Sequence, residues 1–210
     1  MRSPRCALWF VRFGSVANHS VRLVVGITGA SGSIYGWRLL EKLRAAGDVE
    51  IHLVLTRSGE RTAFLELGKT AADFKALADC SYPVEDIGCR LASGSFSTGG
   101  MLIAPCSIHT MSAIAAGISS NLVIRAADVT LKERRRLVLM VRESPLHLGH
   151  LRSMTALAEM GAILAPPMPA FYHKPQSVDE IVDQSVDRVL DLIGLPSPET
   201  KRWNGPERSK

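Results

Sequence analysis

An α/β fold is predicted for this chain: a doubly wound open parallel sheet of the flavodoxin/Rossmann-like kind, in a single domain. Three observations lead to it. Short apolar runs recur along the 210 residues and are continuous rather than alternating, as expected of strands covered on both faces. Amphipathic stretches with helical spacing separate those runs. Turns rich in glycine and small hydroxyls follow two of the runs directly, and sheets of this kind place ligands there, at strand carboxyl ends beside a switch in strand order.

Taken in order, the apolar runs are residues 23–27, 51–55, 101–104, 137–141 and 162–165. Between the first two, Gly36, Leu39, Leu40 and Leu43 recur at i, i+3, i+4 and i+7, the stripe of a half-buried helix. Ser107, His109 and Thr110 stand at the start of a helix continuing through 111–116. The stretch 123–136 brings Arg125 and Lys132, seven apart, onto one helix face with Glu133 beside them; a solvated face is the commoner fate of such a run. Leu148, Leu151 and Met154 keep helical spacing, and Pro145 fits the first turn of their helix, leaving Glu143 outside it. The clearest helix is the last. Ser177 with Glu180 reads as a capping box, Val178, Ile181, Val182, Val189 and Ile193 form the stripe, and Gly194 ends it. Domain limits follow: 1–20 a disordered or spurious leader, 21–195 the α/β domain, 196–210 a proline-rich arm on the surface.

Composition narrows the function. The chain is 46% hydrophobic and 21% charged, enough for one sizeable core. Its net charge is +5, of which three arginines in the first twenty residues supply +3, so a nucleic-acid partner is not implied. Cys6, Cys80, Cys89 and Cys106 show no C-x-x-C spacing and no disulfide framework. No apolar run approaches the roughly 18–20 residues of a membrane span. A cytoplasmic location fits, with no membrane partner. The arginine-rich, acid-free leader leaves a mitochondrial transit peptide as the alternative, though a disordered leader or an over-extended reading frame whose real start lies near Val21 is favoured, because the first strand begins immediately afterwards and needs nothing upstream.

The turn after the first strand decides between cofactors. A dinucleotide fingerprint needs G-x-G-x-x-G, but Ile27 holds the first glycine's place, so only Gly29 and Gly32 fit. An acid should close the second strand to bind a ribose hydroxyl, and Leu55-Thr56-Arg57 stands there instead. What remains is a Gly-Ala-Ser-Gly turn at a helix start, whose free N–H groups and Ser31 hydroxyl suit a single phosphate. Taken alone, it is nearly as well read as a tight turn with no ligand; the second turn, PCSIHT at 105–110, facing the same crevice, weighs against that. Arg142 and Glu143 follow the fourth run, at a strand's carboxyl end. Phe171 and Tyr172 lie in a loop before the last helix, as packing with the Tyr172 hydroxyl bonded at its tip, and Arg188 flanks that helix's stripe. Cys106 reads as a small buried apolar group. Glu143, His147 and His150 would align as zinc ligands on one continuous helix, but Pro145 interrupts it, so no metal is expected.

Six stretches then carry a resemblance: TGASG at 28–32, SGSFSTGGM at 93–101, PCSIHT at 105–110, RAADVTLKERRRLVL at 125–139, RESPLHLGHLRSM at 142–154 and PPMPAFYHKPQSVDEIVD at 166–183. In this order they resemble the UbiX-type flavin prenyltransferases, above all the members formerly classed with the phenolic acid decarboxylases, over residues 21–203. The resemblance implies a metal-independent prenyltransferase that joins the dimethylallyl group of dimethylallyl monophosphate to N5 and C6 of reduced FMN, the co-substrate. The product, prenylated FMN, goes to a partner UbiD-type decarboxylase, and a homo-oligomer, a dodecamer of trimers, is implied.

Carried over by motif, Gly29, Ala30, Ser31, Thr56, Ser107, Ile108, His109, Thr110 and Arg142 would bind FMN. Gly94, Arg125, Lys132, Tyr172 and Arg188 would hold the prenyl phosphate, partly across the boundaries between protomers. Glu66, Lys132 and Glu143 match positions for proton handling and leaving-group activation. Thr56 stands where the family often has serine and keeps the hydroxyl; Ser97 and Gly99 replace charged residues of some relatives, which leaves the shape of that loop open. The chemistry is consistent: fixed cations and the Tyr172 hydroxyl would take the part that magnesium has in diphosphate-dependent prenyl transfer, Glu143 would be the base for ring closure, and Phe171 would help wall the site from water. Two rivals stand beside this reading: a flavin-dependent cysteine decarboxylase of the same fold, whose relatives carry a PASANT-like turn, and a non-catalytic FMN carrier or accessory protein.

Overall fold

The computed structural model describes residues 21–196 together with Thr200, Arg202, Trp203 and Gly205. The leader at 1–20 and most of the arm at 196–210 lie outside the described residues. Six strands, Val21–Ile27 (β1), Val49–Leu55 (β2), Cys80–Tyr82 (β3), Gly100–Cys106 (β4), Arg136–Val141 (β5) and Ile163–Leu164 (β6), form one sheet in the order β3-β2-β1-β4-β5-β6. All neighbours are parallel. Strand order reverses between β1 and β4, so the crevice of a doubly wound sheet opens at their carboxyl ends.

Helices cover both faces, which is why the strands read as unbroken apolar runs. Ser33–Ala46 (α1), Arg57–Leu67 (α2), Ala71–Ala76 (α3) and Val178–Ile193 (α7) cover one face; Ile108–Ala115 (α4), Leu122–Lys132 (α5) and Leu148–Glu159 (α6) cover the other. Leu39, Leu40 and Leu43 of α1 and Val186 and Val189 of α7 pack on Leu23, Val25, Ile27 and Leu53. Opposite them, Met111, Ile114, Val123, Ala127 and Leu157 pack on Val24, Met101, Ile103, Leu137 and Leu139. Asp187 is buried in the apolar stripe of α7 and is compensated by Lys42 Nζ at 2.6 Å. Among the described residues, no helix is long and apolar enough to cross a membrane.

The five expected strands are present, and the differences from expectation have local causes. The edge strand β3 is three residues long, too short for a hydrophobic period to register. β4 runs on through Pro105 to Cys106, past the expected end at Ala104, with a shift of register between Ile103 and Cys106. Pro145 is not in a helical turn: its peptide bond is cis, and α6 begins at Leu148 with His147 as its cap, the imidazole Nδ1 accepting from Gly149 N–H at 3.0 Å. Glu143 lies outside the helix, as expected. Leu148 and Leu151 do not face the core: they are 60% and 47% exposed, and Leu157 is the buried member of α6. Val178 is likewise exposed, one residue after the cap of α7. The capping box is displaced by one position. Ser177 Oγ accepts from Glu180 N–H at 3.2 Å, but the Glu180 carboxylate accepts from the N–H of Gln176.

Candidate active site

Thr28 welds the two glycine and hydroxyl turns into one crevice floor. Its hydroxyl donates to the Pro105 carbonyl at 2.8 Å and accepts from Ser107 N–H at 2.8 Å, while its own N–H also reaches Pro105 O. Sequence reading passed over it, although it is the polar residue that follows the first apolar run. The next strand end is tied in similarly: Thr56 N–H donates to Ile27 O at 3.0 Å, and Thr56 Oγ1 caps α2 by accepting from Gly59 N–H. Gly29 is required by close approach, since a Cβ there would lie 2.4 Å from Ser58 Cβ. Ser107 caps α4, its Oγ accepting from Thr110 N–H and donating to Thr110 Oγ1 at 3.1 Å. Thr110 is buried and His109 is exposed. Arg142 N–H holds Cys106 O at 3.0 Å, placing an exposed guanidinium at the carboxyl end of β5. Glu143 follows it, also exposed, with Oε1 accepting from Ser144 N–H. Complete burial pushes the Cys106 thiol far up, so it stays a neutral packing group.

Glu66 corrects the expectation that the N–H groups opening α1 are free for a ligand. α1 starts after Gly32, which is left-handed (φ 98°) and has no side chain to cap it. The Glu66 carboxylate caps instead, accepting from Gly32 N–H at 3.0 Å and Ser33 N–H at 2.8 Å. Partial burial works to raise this carboxyl, but the hydrogen bonds from Ser31, Ser33 and Gly32 outweigh it and hold it below its ordinary value. Glu66 is thus the resident anion of that helix terminus. The stability it lends is present above the usual carboxylate range near pH 4.3 and is lost as the pH falls through its lower folded value. Replacing it with glutamine should lower stability at pH 7 by about 1 kcal/mol. The gap from the native protein should narrow on acidification below pH 4, read from urea unfolding midpoints at each pH.

Gly94, Arg125 and Lys132 form a second group. A Cβ on Gly94 would fall within 2.6 Å of Lys132 Nζ and closer still to the Glu133 carboxylate, which Lys132 engages directly. The hydrogen bond from Lys132, with its charge and that of Arg135, holds the Glu133 carboxyl below its usual range. Arg125 binds Asp128 at 2.6 Å and the Ala92 carbonyl at 3.3 Å, steadying the short 3-10 turn Arg90–Ala92. Lys132 ends α5 just before β5 starts at Arg136, whereas Arg142 and Glu143 follow the end of that strand. Six residues of strand, roughly 20 Å, separate the two groups. One protomer therefore brings Gly94, Lys132 and Glu133 together but does not bring them to Arg142 and Glu143.

Tyr172 and Arg188 are brought to one cavity, of about 250 Å³, which they line with Met140, Ala165, Met168 and Ser185. Arg188 is 66% exposed and only 3.8 Å from Asp191, which is claimed by both guanidinium nitrogens of Arg202 at 2.8 Å. Tyr172 stands edge-on to Trp203 and to His173. Phe171 is 68% exposed in the protomer, so the expectation that it packs is not met within one chain. A larger cavity, about 760 Å³, lies between α1 and α7 beside the ion pairs of Arg38 and Lys42. It sits at the amino ends of the strands, away from the crevice.

Residues 14–190 match the flavoprotein family. The chain is 54% identical over 187 residues to the flavin prenyltransferase UbiX of Thauera aromatica, covering 89% of this chain and 96% of that one. Among solved structures it is similar to a dodecameric FMN-dependent UbiX-like decarboxylase of Escherichia coli O157:H7, with a TM-score of 0.86 and 49% identity over 88% of this chain and all of the other. It is equally similar to AnUbiX (PadA1) in complex with FMN and dimethylallyl pyrophosphate, with a TM-score of 0.87 and 44% identity over 89% and 99%. FMN-dependent cysteine decarboxylases are below 20% identical and share the fold alone. A crevice built from two welded turns at the strand switch, with half of the sequence shared along nearly the whole chain, makes this protein a member of the UbiX flavin prenyltransferase family of flavoproteins, and so a transferase.

Proposed function

We propose that the protein transfers the dimethylallyl group of dimethylallyl monophosphate to N5 and C6 of reduced FMN, supplying prenylated FMN to a UbiD-type decarboxylase. The single observation that carries this reading is the Thr28 weld, which fixes the β1 and β4 turns as one cradle in a chain half identical to named flavin prenyltransferases. The donor set fits a flavin mononucleotide: hydroxyls at Ser31, Thr56 and Ser107, an exposed His109 and the guanidinium of Arg142 at adjoining strand ends. Gly29, Ala30 and Ile108 would contribute backbone, and Thr110 acts by holding Ser107. When bound, the reduced flavin supplies the nucleophilic nitrogen and the ring carbon that is alkylated.

The chain's own residues would position and stabilise. Arg188 and the Tyr172 hydroxyl grip the prenyl phosphate beside an apolar cavity able to take a five-carbon chain. Gly94 and Lys132, at the opposite end of the sheet, come from a neighbouring copy, together with Arg125 of the same helix α5. Lys132 would donate to the departing phosphate oxygen, and Glu143 would take the proton released on ring closure. Glu66 acts by holding the flavin turn rather than by moving a proton. A homo-dodecamer is supported by the dodecameric relative and by exposed Leu148, Leu151 and Phe64. We place the protein in the cytoplasm; the relative in Thauera aromatica is bacterial and lends nothing to a mitochondrial leader. The same reading takes 21–195 as the flavin-binding domain, with residues 1–20 a leader and 196–210 an arm whose Arg202 and Trp203 dock on Asp191 and Tyr172 of that domain.

Anaerobic incubation with reduced FMN and dimethylallyl monophosphate tests the reading: a flavin heavier by one prenyl unit supports it, and unmodified flavin refutes it. R188A should keep FMN affinity within about twofold and raise KM for the prenyl phosphate at least tenfold, the loss of one charge-assisted contact. Steady-state kinetics at fixed flavin checks this.

A further inference from the structure

The chain reversal after α5 contains three consecutive arginines whose fates differ. Arg134 takes a left-handed conformation (φ 56°) with an exposed side chain, and Arg136 opens β5 at the surface. Between them, Arg135 N–H bonds Thr130 O at 2.9 Å, and its side chain is half-buried against the loop at 93–99. There it donates from Nη2 to the Gly94 carbonyl at 2.7 Å, and from Nη1 to the Phe96 carbonyl at 2.8 Å and to Thr98 Oγ1 at 3.4 Å. One planar fork thus reaches acceptors on three alternate residues, a pattern an ammonium cannot reproduce. The loop has a second anchor: the Phe96 ring lies under Arg22 and Arg90 at 5.0 and 5.5 Å and meets His52 edge-on. Removing Arg135 would leave that anchor and the Ser93–Phe96 turn in place and release the Gly94 carbonyl. Gly94 is where freedom matters, because the Lys132–Glu133 pair sits directly on its Cα with no room for a side chain.

We propose that Arg135 is a positioning residue for the prenyl-phosphate subsite, clamping the loop so that Gly94 and Lys132 present one fixed surface to the phosphate. The inference rests on the prenyl-transfer reading above.

The test is R135A and R135K in the assembled protein, once native turnover has been shown. R135A should retain flavin affinity within about twofold and raise KM for dimethylallyl monophosphate about tenfold or more, with a smaller change in kcat. R135K should fall between, and added guanidinium ion should lower the KM of R135A while leaving the native KM unchanged. An unchanged KM in R135A overturns the proposal. So does a loss of flavin binding and assembly that accompanies the KM change and is not restored in R135K, because the role would then be general folding. Should R135A fail to assemble, R135K alone decides, by a raised KM or none. Absence of turnover in the native protein would instead strike the prenyl-transfer reading.

Discussion

Replacing Lys132 with alanine is expected to lower the rate of prenyl transfer by about 100- to 1,000-fold while flavin still binds. The reasoning is electrostatic. Cleaving an allylic phosphate gathers negative charge on the bridging oxygen, and a fixed cation at that point stabilises the transition state more than the bound substrate. Lys132 is held by Glu133 against Gly94, so its amine is oriented before substrate arrives. In the proposed site it engages the prenyl phosphate and not the flavin turns, which is why flavin affinity should hardly change. Lys132 is exposed in the protomer, so stability should change by less than about 1 kcal/mol. Rapid-mix assays under anaerobic conditions, with flavin titration and thermal unfolding alongside, check all three parts.

Glu143 to glutamine should produce a loss of similar size by a different route. A well-placed general base contributes about 100- to 10,000-fold. Glu143 stands at the carboxyl end of β5 beside Arg142, its Oε1 accepting from Ser144 N–H. Glutamine keeps that shape but cannot accept the proton released when the flavin ring carbon is alkylated. E143Q should therefore bind both substrates with near-native affinity and fail in ring closure, so that a flavin carrying the prenyl unit at one position accumulates. Mass spectrometry of the released flavin, with its absorbance spectrum, distinguishes that species from the finished product.

The fold was legible because both faces of the sheet are covered, which turns each strand into a continuous apolar run bounded by turn residues. The helix stripe of Leu39, Leu40 and Leu43 is buried as its period requires. The stripe of Leu148 and Leu151 has the same period but faces outward. Hydrophobic period marks a face that avoids water and cannot tell an internal partner from a second chain. The site was legible as motifs, and less so as geometry. Nothing in the spacing of TGASG and PCSIHT announces that Thr28 joins them, since a hydroxyl bridging residues 77 and 79 apart in sequence leaves no local trace. Glu66 is matched to proton handling by motif alone, and its capping of α1 leaves no local trace, because its partners, thirty-odd residues upstream, are backbone N–H groups that any sequence would offer. The three arginines at 134–136 look alike in sequence; one left-handed residue sends the middle one inward.

The division of the proposed site between the two ends of the sheet is the claim that most needs testing, and mixing K132A with E143Q tests it directly. Dissociated, combined and reassembled, the two variants form oligomers in which some sites receive an intact Lys132 from one copy and an intact Glu143 from another. Each parent alone should be nearly inactive, and the mixture should recover a substantial fraction of native turnover, up to about a quarter for random assembly across a two-chain site. A mixture that demonstrably exchanges protomers yet stays as inactive as its parents would contradict a site shared between copies.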